Sequence, residues 1–416
     1  MSADQQRRLR DAMISLVADR GYGGVTVRAL TKEAGVSTRA FYGHFTNTEE
    51  CLAFACESTM LCALRRVDEA GSAARHWEDG LRAAVASLMW EVAGRPAAAR
   101  VVLIEAFDGG PLVLERIESV TGTFESSLAN LLSTAPGNGG FPRRLITGMV
   151  AGAIRIARTT TLSGRANELP DLAPELSEWM LSMVREGATP PPAPARASSG
   201  PRREADPFPD GGWTSEVASI GDDRERIIRA TLRLAAADGF GGLTIPRIRV
   251  AAGVSRRSFD SYFPDVTDCF LDSLEWMLRS AAARARAWAA READVDRRVQ
   301  RLILALCAQA ARNAVMTSLA FLAILEPGRE GLIRRERLLT LAAASIRGEL
   351  SPPGRVPDLS LEASVAAAWE IAQAEIRANR TASLPSLSSL LTYAVTAPAR
   401  SLEPPREPIR GGDRQH

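Results

Sequence analysis

The chain has 416 residues, with 51 Lys plus Arg against 49 Asp plus Glu and a formal net charge of +2. An apolar share of 46% with 24% charged residues excludes a wholly disordered or polyelectrolyte chain, and the length argues for two or three domains. The balanced charge exerts no overall pull toward nucleic acid or membrane, so any basic surface must be local.

Leu9, Ala12, Met13, Leu16 and Val17 recur at helical spacing before the stop signal Gly21-Tyr-Gly-Gly24. Thr26 then precedes an apolar face of Val27, Leu30 and Ala34 and is placed to cap a short helix. Gly35-Val36 makes a tight turn, with Gly35 supplying the left-handed conformation. Ser37 caps a second short helix whose inward residues are Phe41 and Phe45. Further helices are expected near 47–70, 76–93, 95–108, 111–134, 141–163 and 171–187. They are punctuated by Gly94-Arg-Pro96, Gly109-Gly-Pro111, a Pro136–Gly140 loop and Leu169-Pro170. No stretch shows the sustained alternation of a strand, so the expected fold class is all-α.

The chain repeats itself. Gly21–Leu52 matches Gly239–Phe270 without a gap at an offset of 218, with 12 of 32 positions identical. Upstream, Ala12, Leu16 and Ala18 correspond to Ala230, Leu234 and Ala236. Near the far end, Arg165–Pro170 resembles Arg380–Pro385 at an offset of 215, so the repeat covers whole halves. Between them, 188–221 holds seven prolines and four glycines and reads as an extended linker. The expected organisation is a head at 1–50, a helical body at 51–187, the linker, a second head at 222–268, a second body at 269–398 and a disordered tail at 399–416. Residues 1–187 carry 20 basic and 22 acidic side chains and 222–398 carry 24 and 20, so the copies are not electrically equivalent.

Two short helices joined by a glycine turn form a helix-turn-helix, whose second helix offers its N-terminal side chains to base edges in the DNA major groove. Those are Ser37, Thr38 and Arg39, and in the copy Ser255, Arg256 and Arg257. The run from Arg20-Gly-Tyr22 through Thr26-Val-Arg-Ala-Leu to Phe41-Tyr-Gly-His-Phe45, with an acidic helix start after it, resembles the TetR family of transcriptional regulators over about fifty residues. The resemblance implies a three-helix DNA-binding head, a fourth helix linking it to a helical ligand-binding and dimerisation body, and a last helix pair that dimerises. Family members are ordinarily homodimers of about half this length, so both protomers are expected on one chain. The family's DNA contacts fall on Thr26, Arg28, Ser37, Thr38, Arg39, Tyr42 and His44 in the first copy. In the second they fall on Thr244, Ser255, Arg256, Arg257 and Tyr262. The lysine common at the start of the fourth helix is Thr48 here and Val266 in the copy, where Asp260 also replaces Tyr42. An aspartate facing a phosphate is repulsive, Arg256 and Arg257 are expected to compensate in part, and the first copy is the expected DNA reader.

The expected function is a sequence-specific, ligand-responsive repressor, a single-chain pseudo-dimer on an imperfect palindrome of operator DNA with an unidentified small-molecule effector. The rival expectation is a degenerate interaction protein that pairs with other regulators and binds DNA weakly. Trp90, Phe107, Phe321 and Trp369, with Trp77, are candidates for a ligand-cavity wall, although ordinary core packing is the favoured reading. Arg155 and Arg158 lie within an apolar helix pattern and face an anionic ligand, the partner half or solvent.

The five cysteines make no C-x-x-C pair and are odd in number, so buried thiols are expected, with Cys51 and Cys62 on one helix face and Cys56 elsewhere. His44, His76 and His416 are too few and scattered for a metal site. No nucleophile elbow, P-loop, H-E-x-x-H or dinucleotide fingerprint is present, so neither enzyme nor cofactor is expected. The polar N-terminus and the lack of an 18-residue apolar run point to a cytoplasmic protein with no membrane partner.

Overall fold

A computed structural model describes residues 3–135, 141–184, 222–350 and 357–400, and these are helical with no strand. The Pro136–Gly140 loop, the whole linker at 188–221 and residues 401–416 of the tail lie outside the described residues, while 399 and 400, expected in the tail, are helical. In the first half, α1 (Ala3–Arg20), α2 (Val27–Ala34) and α3 (Thr38–Tyr42) precede α4 (Thr48–Ser72), α5 (Trp77–Gly94) and α6 (Pro96–Leu103). Next come α7 (Pro111–Leu132), α8 (Arg143–Leu162) and α9 (Leu169–Ser182). The second half follows the same order: α10 (Asp223–Asp238), α11 (Ile245–Ala252), α12 (Arg256–Tyr262), α13 (Val266–Ala289) and α14 (Val295–Arg312). It closes with α15 (Ala314–Phe321), α16 (Arg329–Glu349), α17 (Asp358–Arg377) and α18 (Ser388–Arg400). No single helix among the described residues is long and apolar enough to cross a membrane.

The apolar stripe of α1 is buried as its spacing predicts, with Leu9, Met13 and Val17 inaccessible to solvent. It joins Leu30, Phe41 and Phe45 in a head core that also takes in Val101, Val102 and Val113, so the head is packed directly onto its body through α6 and the start of α7. The second head has its own core around Ile227, Ile248, Phe259 and Phe263, continued into Leu319 and Ile324.

The expected helix over 95–108 breaks at Ile104 (φ −132°, ψ −64°), after which Glu105–Asp108 wind as a tighter 3₁₀ turn. That turn brings the Glu105 carboxylate inside, where Arg100 meets it at 2.8 Å. The helix expected from 171 begins two residues earlier, because Pro170 fits the first turn, where no backbone N–H is needed.

One core runs through both bodies. It includes Met149, Ile156, Leu176 and Trp179 from the first half and Val299, Ala363, Ala367, Ile371 and Tyr393 from the second. Its axis is the crossing of α8 and α17, which small residues make close. A Cβ on Gly148 would lie 3.0 Å from the Ala367 Cβ, and one on Gly152 would lie 2.9 Å from the Ala363 carbonyl and collide with the Trp179 ring. Polar contacts fix the register: Trp179 Nε1 donates to Ser364 Oγ at 2.8 Å, and the Tyr393 hydroxyl donates to the Met183 carbonyl at 2.8 Å.

Candidate nucleic-acid interface and cavity

In the first head, Thr26 Oγ1 accepts from the Ala29 N–H at 3.2 Å and so starts α2. The helix stops at Gly35, whose φ of 61° lies in the left-handed region that a side chain would strain. Arg8 ties this turn to α1 by donating to the Gly35 carbonyl at 3.3 Å. Ser37 Oγ then accepts from the Ala40 N–H at 3.1 Å and starts α3. Phe41 and Phe45 turn inward with ring centroids 5.8 Å apart, and Phe45 meets Phe54 of α4 at 5.5 Å. With those rings buried, Thr38, Arg39 and Tyr42 are left on the outer face, Tyr42 being 59% exposed. Arg28 and Lys32 of α2 are exposed beside them. Among the described residues Arg28, Lys32 and Arg39 make no ion pair, so their charge is free for phosphate or base contact. One expected contact is held back: His44 is half-buried with Nε2 3.4 Å from Gln5 Oε1. Thr48, which stands where the family commonly has a lysine, has Oγ1 3.2 Å from the Tyr22 hydroxyl.

The second head repeats this backbone with different chemistry. Thr244 and Ser255 cap α11 and α12, and Gly253 (φ 64°) makes the turn. The sequence suggested that Arg256 would help offset Asp260 toward DNA; instead Arg256 Nε donates to both Asp260 oxygens at 2.8 Å, one helical turn along. The pair neutralises itself, leaving Arg257 as the free cation at the start of α12 among the described residues. Pro246 and Val250 stand where the first head has Arg28 and Lys32, and Val250 is 84% exposed. Tyr262, matching His44, is exposed. Arg247 is likewise taken by Asp238 and Arg249 is only half-exposed, so the two heads present one scaffold with their free cations at different positions.

A cavity of about 1280 Å³ opens between the first body and the second, walled by α4, α5, α7 and α8 on one side and α16 and α17 on the other. Phe107, Arg155 and Trp369 line it. Trp90 does not: it is 66% exposed, so its place in the apolar pattern of α5 is corrected to a surface one. Phe321 stands behind the wall, stacked on Trp369 at 4.0 Å. Trp77 packs half-buried against the central core.

Arg155 and Arg158 are buried and face the other half. Arg155 bonds Glu336, the Thr340 hydroxyl at 2.8 Å and Glu362 at 3.4 Å. Arg158 bonds Glu336 at 2.9 Å and the Leu103 carbonyl at 3.0 Å, and lies over the Phe107 ring. Burial alone would raise the Glu336 carboxyl, but Arg335, Arg158 and Arg155 outweigh it and hold it at about 2. Sequence reading missed Glu336, although a buried arginine demands a buried acid somewhere. It also missed Glu125, Glu370 and Gln373, three further wall residues.

Of the cysteines, Cys51 and Cys56 are both buried although they stand on different faces of the helix, because α4 is covered on more than one side, while Cys62 is half-exposed. Burial pushes the Cys51 and Cys56 thiols up to about 12.

The family model for bacterial regulatory proteins, tetR family, matches residues 9–54 and again 227–272. Among solved structures, the fatty acid degradation regulator FadR from Bacillus halodurans is 17% identical, covering 44% of this chain and 98% of its own at a TM-score of 0.40. FadR from Bacillus subtilis, solved with stearoyl-CoA, is 19% identical over 43% and 99%, at 0.38. A TetR-like regulator from Rhodococcus sp. RHA1 is 17% identical over 44% and 98%, at 0.35. No curated protein matches the sequence. The assignment of the heads rests on the two matched segments.

Proposed function

We propose that the chain, in which the family model for bacterial regulatory proteins, tetR family, matches the head of each half, is a ligand-responsive, sequence-specific transcriptional repressor acting as a single-chain pseudo-dimer. The observation that supports this reading is the pairing of two capped helix-turn-helix heads through one shared core around α8 and α17. Each recognition helix would enter one of two successive major grooves, about one helical turn apart. Arg39, Tyr42, Arg28 and Lys32 make the first head the stronger reader. The second, with Arg256 held by Asp260, contributes chiefly Arg257 and Ser255. The operator is then an imperfect palindrome with one strongly specified half-site.

An effector in the cavity touches both halves at once, so its binding alters how the heads are held and lowers operator affinity by its preference for one arrangement. Selecting bound sequences from a random DNA pool tests the reading. A two-part site with one sharp and one degenerate half is expected; no sequence preference, or two identical half-sites, overturns it. The second head, whose Arg247 and Arg256 are each tied to a carboxylate, also favours a second reading, a partner-binding protein that reads DNA weakly. A near-zero dependence of binding on salt would establish that instead, since phosphate engagement gives a steep slope.

A further inference from the structure

The cavity wall is unbalanced in charge. All five arginines on it are already engaged by carboxylates: Arg95 by Glu91, Arg377 by Glu118, and Arg155, Arg158 and Arg335 by Glu336. Four wall carboxylates, Asp68, Glu125, Glu326 and Glu370, are in no ion pair among the described residues. The imbalance follows from divergence of the repeat. Positions 155 and 158 of α8 correspond, at the offset of 215, to Glu370 and Gln373 of α17, so the cations on one side become an acid and an amide on the other.

Glu125 and Glu370 lie near one another. Burial raises the Glu125 carboxyl, the Thr147 hydroxyl at 3.0 Å opposes that, the neighbouring Glu370 raises it further, and Arg143, which is not on the wall, offsets part of this while Glu118 adds to it. Arg158 is close enough to feel Glu370, but its guanidinium is committed to Glu336 and the Leu103 carbonyl. Gln373 is 1% exposed on the same wall; its Nε2 donates to the Phe321 carbonyl at 2.9 Å and its Oε1 has no partner. The remaining lining is largely aliphatic, with Trp369 and Phe124 among it.

We propose that this cavity binds a lipophilic organic cation, with Glu125 and Glu370 as its counter-ions and the apolar wall enclosing its body. The inference rests on reading the cavity as the effector site. An organic anion would meet unpaired carboxylates and, on the wall itself, no guanidinium without a carboxylate partner. A cation neutralises a pair of acids that repel each other in the empty site, in surroundings where charge interactions are stronger than in water.

Tetraphenylphosphonium and tetraphenylborate have nearly the same shape and opposite charge, so equilibrium dialysis of the full chain against each isolates the sign. The phosphonium is expected to bind at one per chain and at least tenfold more tightly than the borate. A Glu125→Gln, Glu370→Gln double variant should lose at least tenfold of the phosphonium affinity while its borate affinity stays or rises. Should the double variant fail to fold, Glu370→Gln alone is expected to lose at least threefold. Equal or tighter borate binding, no binding of either ion, or phosphonium affinity kept within twofold by the folded double variant overturns the proposal. Dialysis contains no DNA, so failure to find an operator and failure to bind the cation are separate results.

Discussion

Replacing Glu336 by Gln removes the one carboxylate that three guanidinium groups share between the halves. The Glu336 side chain is 5% exposed, and those of Arg155, Arg158 and Arg335 are 2%, 10% and 8% exposed. Arg155 keeps Glu362 at 3.4 Å, but Arg158 and Arg335 lose their carboxylate. Removing one partner from a buried pair costs about 3–5 kcal/mol, and since Gln retains one acceptor oxygen the lower end applies. At about 2–4 °C per kcal/mol for a domain-sized unit, the melting temperature should fall by roughly 6–12 °C. Circular dichroism at neutral pH measures it. The control is Arg144→Ala, which removes a half-exposed cation from Glu375 while Arg380 remains, and should cost no more than about 1 kcal/mol. Adding Arg158→Met to Glu336→Gln should restore part of the loss, since fewer uncompensated charges stay buried. A Glu336→Gln protein that melts within about 2 °C of the parent, or strict additivity of the two changes, would refute the reasoning.

Arg39→Ala should weaken specific DNA binding by about 1–3 kcal/mol in a gel-shift titration, the worth of one good base contact, whereas Arg256→Ala should weaken it without changing the base preference, because it removes no base contact and leaves Asp260 unpaired. Asp260→Ala should free Arg256, raise affinity and steepen the salt dependence; an unchanged slope counts against the unequal-head reading. Glu336 and Glu375 are each held at about 2, below the ordinary 4.5, the first by Arg335, Arg158 and Arg155 against burial and the second by Arg380 and Arg144. Their stabilisation is therefore complete above about pH 4.5 and is lost as pH falls toward 2; the acid-unfolding curve of Glu336→Gln should be flatter in that window. Iodoacetamide at pH 8 should modify half-exposed Cys62 first, and equal labelling of Cys56, whose buried thiol sits at about 12, would contradict the packing of α4.

The heads were legible in the sequence because their determinants are local. Thr26, Gly35 and Ser37 act on backbone within three or four residues, and an ungapped second copy repeats them. Arg256 and Asp260 stand four apart on one short helix, so their pairing is as local as the caps and competes with DNA for the same guanidinium. The interface between the halves was not legible. Arg155 and Arg158 find Glu336 about 180 residues away, and nothing in the periodicity of α8 tells a buried cation from an exposed one. Trp90 failed for the converse reason: an apolar helix pattern gives a face but not whether a neighbour covers all of it.

The crossing of α8 and α17 sets which partners each half can take. Two copies of the second half would bring Glu370 toward Glu336, with Gln373 where Arg158 now stands. Such a pairing would set two carboxylates against each other with no guanidinium from that crossing to meet them, which disfavours it. A protein assembled from separate subunits can be diluted by exchange with its relatives, and its two arms stay alike because one gene encodes both. Here the arms are inherited together and can drift apart, provided each change in one is tolerated by the other. Their ratio is fixed at one to one at every expression level.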